Sequence, residues 1–451
     1  MRIIRESKRV VLPKDSAHRF FIQAWYSLVH RNSLDSHRVR CMNSLNILRE
    51  LDELIIKTHL PGIFNDIKKA AEEALEILKG DQIIQMHYQR SSSIIEELLL
   101  KIIKADKRGP ETTLASYYIK DLLHDFHGSY KRNVLSSLEK AIFDDKSESD
   151  IFEFTGALLS TLIDEGYSIE GLYSIVQDIF IANKSRKSFS ENYQFMKRIV
   201  DHTHSGYDIV FRLVGCNKPD FLPPKIAGVF FEKEPIFENA ETRIKSFLSP
   251  GQSVLFGTIP VTAQDDRSAG LVARKTLDDV LDLMRFELEQ DIIEVDTEFL
   301  SRRSDGKSRI FKLPSEIPNP TRNISAEEFA SFVERLAELL TNELLDKGSK
   351  ERMSSAIRFY RMGRDASQFE NKFLNWWTAL EYLVRHEQGD IIKEIEGKLK
   401  AVLVINYIGK YLESFRRALS YCRTVPSDSI ATSYDIKSYS DLGLYDFWVF
   451  A

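Results

Sequence analysis

Cysteine is scarce: Cys41, Cys216 and Cys422 are the only three in 451 residues, and no two form a CxxC or zinc-type spacing. That argues against a disulfide scaffold and leads us to expect a reducing, cytoplasmic setting. Long apolar runs are also lacking. The longest uncharged stretch, Ser246–Gln264, is interrupted by Pro250, Gly251, Gly257 and Pro260 and reads as loop and strand, so no membrane partner is expected. The N-terminus carries charges with no apolar run behind them, so no signal peptide is expected. Positive charge is not in excess. Lys and Arg number 62 against 67 Asp and Glu, a net charge of −5, so no global positive field marks nucleic-acid binding. The phosphate-binding patterns GxGxxG and GxxxxGK[ST] do not occur, nor do HExxH and GxSxG. Gly306-Lys307-Ser308 lacks the upstream glycine a phosphate loop needs. No cofactor is expected.

What is present is an ordinary globular balance, 43% hydrophobic and 29% charged, in a chain long enough for two or three domains. One local bias stands out. Residues 1–50 sum to +6 and the remainder to −11. Arg2, Arg5, Lys8 and Arg9 are therefore candidate RNA-backbone contacts, with a solvated basic terminus as the plainer alternative.

Periodicity divides the chain into three expected domains, mainly α overall. Residues 1–205 read as helical, with apolar spacing of three and four in Ile67–Leu78 and a stop at Gly80. Ser93-x-x-Glu96 reads as a capping box, and Gly109-Pro110 as a break before a new helix at Thr112 or Thr113. Two further helices are expected over 151–164 and 169–182, joined at Gly166. Residues 206–322 read as a small α+β domain. Strands are expected near 208–214 and 254–261, a long helix over 265–289, and a hairpin turning at Asp305-Gly306. Residues 323–451 read as helical again, with helices over 326–346, 350–363, 366–387 and 391–421. The aromatic stretch Tyr434–Ala451 either packs into a core or belongs to a larger domain.

Three clusters were weighed for chemistry. Asp121, His124 and His127 share a helical face, and Asp201, His202, His204 and Asp208 gather at a domain boundary. Neither has a third strong ligand at a known spacing, and surface hydrogen bonding or helix capping explains both, so no metal is expected. Asp265-Asp266-Arg267 follows a strand and opens a helix, where carboxylates cap free N–H groups; a catalytic carboxylate pair would need further acids nearby.

The most specific pattern is Phe369-x3-Phe373-Leu374-x-Trp376-Trp377-x2-Leu380-x2-Leu383-Val384. Adjacent tryptophans widen its apolar face to about half the helix, as in a bundle core or a dimer seam. With Arg358-Phe-Tyr-Arg361 before it and Ile395-Glu-Gly-Lys-Leu399 after it, the segment resembles HEPN domains of the Apea-like group. The family-motif positions are Phe373, Trp376, Trp377, Ala379, Leu380, Glu381 and Leu383. The stretch Thr262–Ala273 is similar to the region preceding such domains. The resemblance implies a C-terminal four- or five-helix bundle, a tendency to form homodimers, and a place in bacterial anti-phage defence or toxin systems. It also implies metal-independent RNA cleavage by an R-x4–6-H motif, histidine moving protons and arginine stabilising charge at phosphorus.

In the family that motif follows the tryptophan helix, yet no histidine follows His386 here. Adjacent Arg385 and His386 point to different helix faces. Two R-x5-H matches occur elsewhere, Arg31/His37 and Arg198/His204, and these four residues are the catalytic candidates. Two functions remain open at this point. One is a HEPN-type endoribonuclease acting as a dimer. The other is a non-catalytic sensor or scaffold that binds a protein or nucleic-acid partner and dimerises through the bundle; RNA and a phage or host protein trigger are the partners expected.

Overall fold

The computed structural model describes residues 4, 10–31, 33, 38–57, 62–126, 128–182, 187–201, 204–215, 223–235, 241–251, 253–287, 293–313, 326–366, 369–384, 391–421 and 439. Among the described residues the chain is mainly helical with one six-stranded antiparallel sheet. It divides into two compact units, one spanning Ile4–His30 and Asp35–Leu313, the other carrying Pro314–Ala451.

Among the described residues the first unit opens with ten α-helices: α1 (Ser16–Val29), α2 (Ser44–Ile56), α3 (Ile63–Gly80), α4 (Gln82–His87), α5 (Gln89–Lys104), α6 (Pro110–Phe126), α7 (Tyr130–Lys140), α8 (Glu148–Asp164), α9 (Ile169–Ile175) and α10 (Phe189–Val200). Helix α1 lies at the centre because it is apolar on most sides. Phe21, Ile22, Ala24 and Trp25 are all essentially inaccessible, and the Trp25 indole N–H donates to the Leu172 carbonyl at 3.0 Å. A buried indole needs such a partner, and this one fastens α1 to α9.

Local chemistry explains most helix ends. Asp15 caps α1 by accepting from the Ala17 and His18 amides. Pro110 occupies the first position of α6, where its missing N–H costs nothing; the helix therefore starts at the proline rather than at Thr112 or Thr113. Ser93 is not a cap. It lies inside α5 and returns its hydroxyl to the Gln89 carbonyl, the local bond that a mid-helix serine makes when the cap position is elsewhere. The expected helix over 169–182 is helix α9 followed by a π-helical turn, Val176–Ile181, and a second π turn, Ala141–Asp145, ends α7. After that second turn Lys146 sits at φ 51°, and its ammonium reaches Asp15 at 2.6 Å.

The sheet has the order β2-β3-β4-β1-β5-β6: β1 Ser205–Val214, β2 Lys225–Ile226, β3 Val229–Glu232, β4 Val254–Ala263, β5 Glu294–Arg303 and β6 Ser308–Lys312. Strand β1 is central, pairing Ile209 with Ile259 on one side and Ser301 on the other. Its odd positions, Tyr207 to Leu213, face the long helix α12 (Asp266–Glu287), while Val210 joins Phe256 and Leu300 under α11 (Thr242–Phe247). The β5–β6 turn is made at Asp305-Gly306, with Gly306 at φ 85°, a conformation that glycine adopts freely. On α12, Gly270 lies against the Phe299 ring, so that any Cβ there would overlap the ring.

The helices end at Val200 and the sheet begins at Ser205, and both belong to the same compact unit. One carboxylate joins them. Asp265 accepts from the Arg267 and Ser268 amides at 2.8 and 2.9 Å, which caps α12. It also accepts from the Ser168 amide at 2.8 Å and the Ser168 hydroxyl at 3.0 Å, and that hydroxyl accepts the Gly171 N–H at the start of α9. A Cβ on Gly171 would stand 2.5 Å from the Asp265 oxygen, so glycine is required for the approach. Asp266 accepts the Ser301 hydroxyl at 2.8 Å and ties α12 to β5. The capping reading of this acidic pair therefore describes what the side chains do.

In the other unit the described helices are α13 (Ala326–Thr341), α14 (Lys347–Asp365), α15 (Phe369–Val384) and α16 (Ile391–Tyr421). The expected boundary at 322 lies outside the described residues.

Replacing Asp265 with Ala is expected to lower the unfolding free energy of the first unit by about 2–4 kcal/mol, because it removes a helix cap and leaves Ser168 without its acceptor. Urea unfolding followed by far-UV circular dichroism checks this. The Lys146 ammonium, and then the backbone amide at His18, hold the Asp15 carboxyl down to about 2. Its contribution to stability is therefore complete above the ordinary carboxylate range and is lost as pH falls towards 2. Lys146→Met is expected to move the Asp15 titration midpoint, read by carbon-detected NMR, back towards that ordinary range.

Candidate functional site

Helices α14 and α15 form a close antiparallel hairpin. Asp346 starts α14 by accepting the Ser349 amide at 2.9 Å; its carboxyl lies below the ordinary value because the Ser349 hydroxyl and amide both bond to it. At the far end, Gly363 lets the two backbones meet. A Cβ there would lie 2.5 Å from the Trp376 ring and 3.0 Å from the Lys372 carbonyl. Trp376 lies over Tyr360, centroids 6.4 Å apart, and its N–H donates to the Tyr360 carbonyl at 3.2 Å. Phe359 stacks on Tyr382 at 5.4 Å. Ala356 and Ala379 are buried in the hairpin, small residues that bring the helices together.

The motif positions divide into inward and outward groups. Trp377 stacks on Phe373 at 6.3 Å and donates its N–H to the Glu381 carboxylate at 2.9 Å, one turn on. Ala379 is buried, and Trp376, Trp377, Leu380 and Glu381 are half-buried. Phe373, Leu374 and Leu383 are exposed. Helix α16 follows, with the Lys398 ammonium donating to the Val384 carbonyl at 3.0 Å and so satisfying the end of α15.

Helix α16 is about 46 Å long at 1.5 Å per residue. Val404, Tyr407, Tyr411 and Phe415 are 51%, 41%, 51% and 43% exposed. Their spacing of three, four and four places them in one stripe along the helix. Ile408, Leu412 and Leu419 border that stripe and meet Tyr439. Among the described residues, Ile408, Leu412 and Leu419 thus form a packed flank of α16 and Val404, Tyr407 and Tyr411 an exposed one.

Of the two sequence-derived catalytic pairs, Arg198 and His204 both lie among the described residues. Arg31 is exposed after α1, and His37 lies outside the described residues. Arg198 is exposed on the last turn of α10 with its guanidinium 5.7 Å over the Phe195 ring, and His204 is exposed just before β1. No hydrogen bond or ion pair among the described residues joins those two. Arg2, Arg5, Lys8 and Arg9 lie outside the described residues, as do His127 and His202. His124 is exposed on α6, and no group of three or more potential metal ligands occurs among the described residues. No helix searched among them is long and apolar enough to cross a membrane.

Sequence reasoning found the tryptophan helix but not Gly363, whose signal was only a glycine in a helix-forming stretch, nor the α16 stripe, which was readable from the 404/407/411/415 spacing.

No family model matches the chain, and no curated protein or solved structure matches it.

Gly363→Ala is expected to push Trp376 off Tyr360 and lower stability by about 1–3 kcal/mol, the usual cost of overpacking. A red shift of tryptophan emission together with an earlier unfolding transition checks it; an unchanged spectrum and midpoint contradict the close approach.

Proposed function

We propose that this chain is an interaction protein, a HEPN-like scaffold that self-associates through its C-terminal helices, rather than a self-sufficient ribonuclease. The open apolar stripe on α16 carries this reading. Each large apolar side chain moved from water into a contact contributes about 1.5–3 kcal/mol, whereas an exposed ion pair contributes about 0–1. Three such side chains in one row, Val404, Tyr407 and Tyr411, therefore outweigh the polar contacts that a surface of this size offers. Contiguous exposed apolar surface of this kind marks a place where a partner binds. A second copy of the chain is the partner that the α14–α15 hairpin and the HEPN resemblance favour. A defence role, and RNA or a phage or host protein as the trigger, rest on the resemblance alone.

Tyr407→Glu/Tyr411→Glu is expected to convert a dimer into a monomer in light scattering coupled to size exclusion, with the circular dichroism spectrum retained. A monomeric native chain, or a dimer indifferent to both charges, sinks the self-association reading. RNA incubated with the purified chain and a chelator is expected to stay intact. Release of 2′,3′-cyclic phosphate ends that His37→Ala or His204→Ala abolishes would restore the nuclease.

A further inference from the structure

Among the described residues, positive charge collects at the turn of the β5–β6 hairpin. Residues 302–309 carry Arg302, Arg303, Lys307 and Arg309 against Asp305 alone, a local sum of +3 in a chain whose remainder sums to −8. The acids at the other end of β5 are engaged elsewhere. Asp296 lies 3.7 Å from the Arg212 guanidinium and Glu298 3.4 Å from that of Arg243. Arg302 is committed as well, bonded to Asp208 at 2.6 and 3.1 Å on the sheet face that α11 covers.

The other arginines share the opposite face. Arg303 pairs in register with Tyr207, whose ring its guanidinium overlies at 5.7 Å, and its backbone N–H donates to the Lys307 carbonyl at 2.9 Å. Arg309 pairs with Ser301 and lies two residues before Phe311, on the face that α12 covers. From the first turn of α12, Arg267 reaches over the Phe311 ring at 5.4 Å. Arg309 is exposed, and the side chains of Arg267, Arg303 and Arg309 have no ion pair or hydrogen bond among the described residues.

Two of these placements run against local electrostatics. Like charges across a β pair repel, as Arg303 and Lys307 do, and a cation in the first turn of a helix opposes its dipole, as Arg267 does. Asp305 meets Lys307 at 3.2 Å, while Asp265 and Asp266 are occupied by amides and by the Ser168 and Ser301 hydroxyls. External anions relieve both costs. Guanidinium groups bind phosphate through paired N–H donors, so several on one face suit a ligand with a row of phosphates. The turn Ser304-Asp305-Gly306-Lys307 has no apolar side chain to enter a bilayer, which disfavours a membrane. It also ends level with β1, the Ser304 amide donating to the Gly206 carbonyl at 3.1 Å, so the hairpin is no free ribbon for a duplex groove. We propose that the face formed by Arg267, Arg303 and Arg309 binds the phosphodiester backbone of single-stranded nucleic acid without reading its sequence. This inference rests on charge and strand register and is independent of self-association through α16.

The test titrates the whole chain into labelled oligouridylate and oligodeoxythymidylate of about 20 nucleotides, read by fluorescence anisotropy. A Kd between about 1 and 100 µM at physiological salt is expected. With three phosphates neutralised, log K falls against log salt with a slope of about −2, a loss of about twentyfold from about 50 to about 200 mM. Arg303→Gln/Arg309→Gln is expected to weaken both probes at least about tenfold and bring the slope to about −0.7, with the circular dichroism spectrum retained. Arg309→Gln alone alters an exposed side chain and is expected to reduce the slope by about 0.7, a readout that survives if the double variant unfolds. Equal binding of the two probes assigns the contact to phosphate alone, and tighter RNA binding adds a 2′-hydroxyl contact. The proposal fails if neither probe binds by about 100 µM, or if both hairpin variants bind with unchanged affinity and slope, which moves the contact to the basic N-terminus. It also fails if phosphatidylserine vesicles retain the chain while the oligonucleotides do not.

Discussion

The first unit depends on one carboxylate serving two helix starts. An α-helix presents unbonded N–H groups and a partial positive charge at its N-terminus. The starts of α9 and α12 both converge on Asp265, directly for α12 and through Ser168 for α9. Each contact alone is an ordinary cap. Together they fix the line along which the sheet's long helix leaves the helical layer, because α12 cannot rotate without breaking bonds to a residue 97 positions earlier in the chain. Gly270 then meets Phe299 and Asp266 meets Ser301. The absence of a side chain at Gly171 is part of the same constraint, since any Cβ there would displace the carboxylate.

Much of the architecture was legible because periodicity and turn chemistry are local. The alternation of Ile209, Phe211 and Leu213 identifies β1, Asp305-Gly306 identifies the β5–β6 turn, and the apolar row from Ala269 to Met284 identifies α12. The failures have a common cause. Ser93 and Glu96 satisfy the capping pattern, but a capping box requires the chain to enter the helix there, and residues 89–92 were already helical. The π turns at 141–145 and 176–181 are similarly invisible, because an inserted residue changes no residue type. The acid pair at 265–266 was readable as a cap, yet its second client, Ser168, was not, because nothing in a linear pattern announces a bond across 97 residues.

The C-terminal site shows the same division. Two adjacent tryptophans reveal a broad apolar face, but not that Trp376 turns to a backbone carbonyl on α14 while Trp377 bonds along its own helix to Glu381. The R-x5-H pairs mark the opposite limit. Spacing alone nominated Arg198 and His204, yet one ends a helix and the other leads into a strand, and a six-residue interval spanning such a change brings no particular atoms together.

The two units also differ in how far they satisfy their own hydrophobic surface, and that difference bears on how each is stabilised. The helices α1–α10 bury Phe21, Trp25, Ile47, Leu51, Ile67 and Tyr193 almost completely. In α14–α16 the buried apolar side chains among the described residues are Ala356, Ala379, Val384 and Leu412, three of them small or medium, while larger ones stay exposed. Since stabilisation follows the apolar area removed from water, the large side chains buried in the first unit contribute more to its stability than the four buried ones named in α14–α16 contribute to theirs. Anything that binds only the folded form raises its stability by mass action. If self-association covers the exposed flank of α16, the unfolding midpoint of the C-terminal helices should rise with protein concentration while that of the first unit stays fixed.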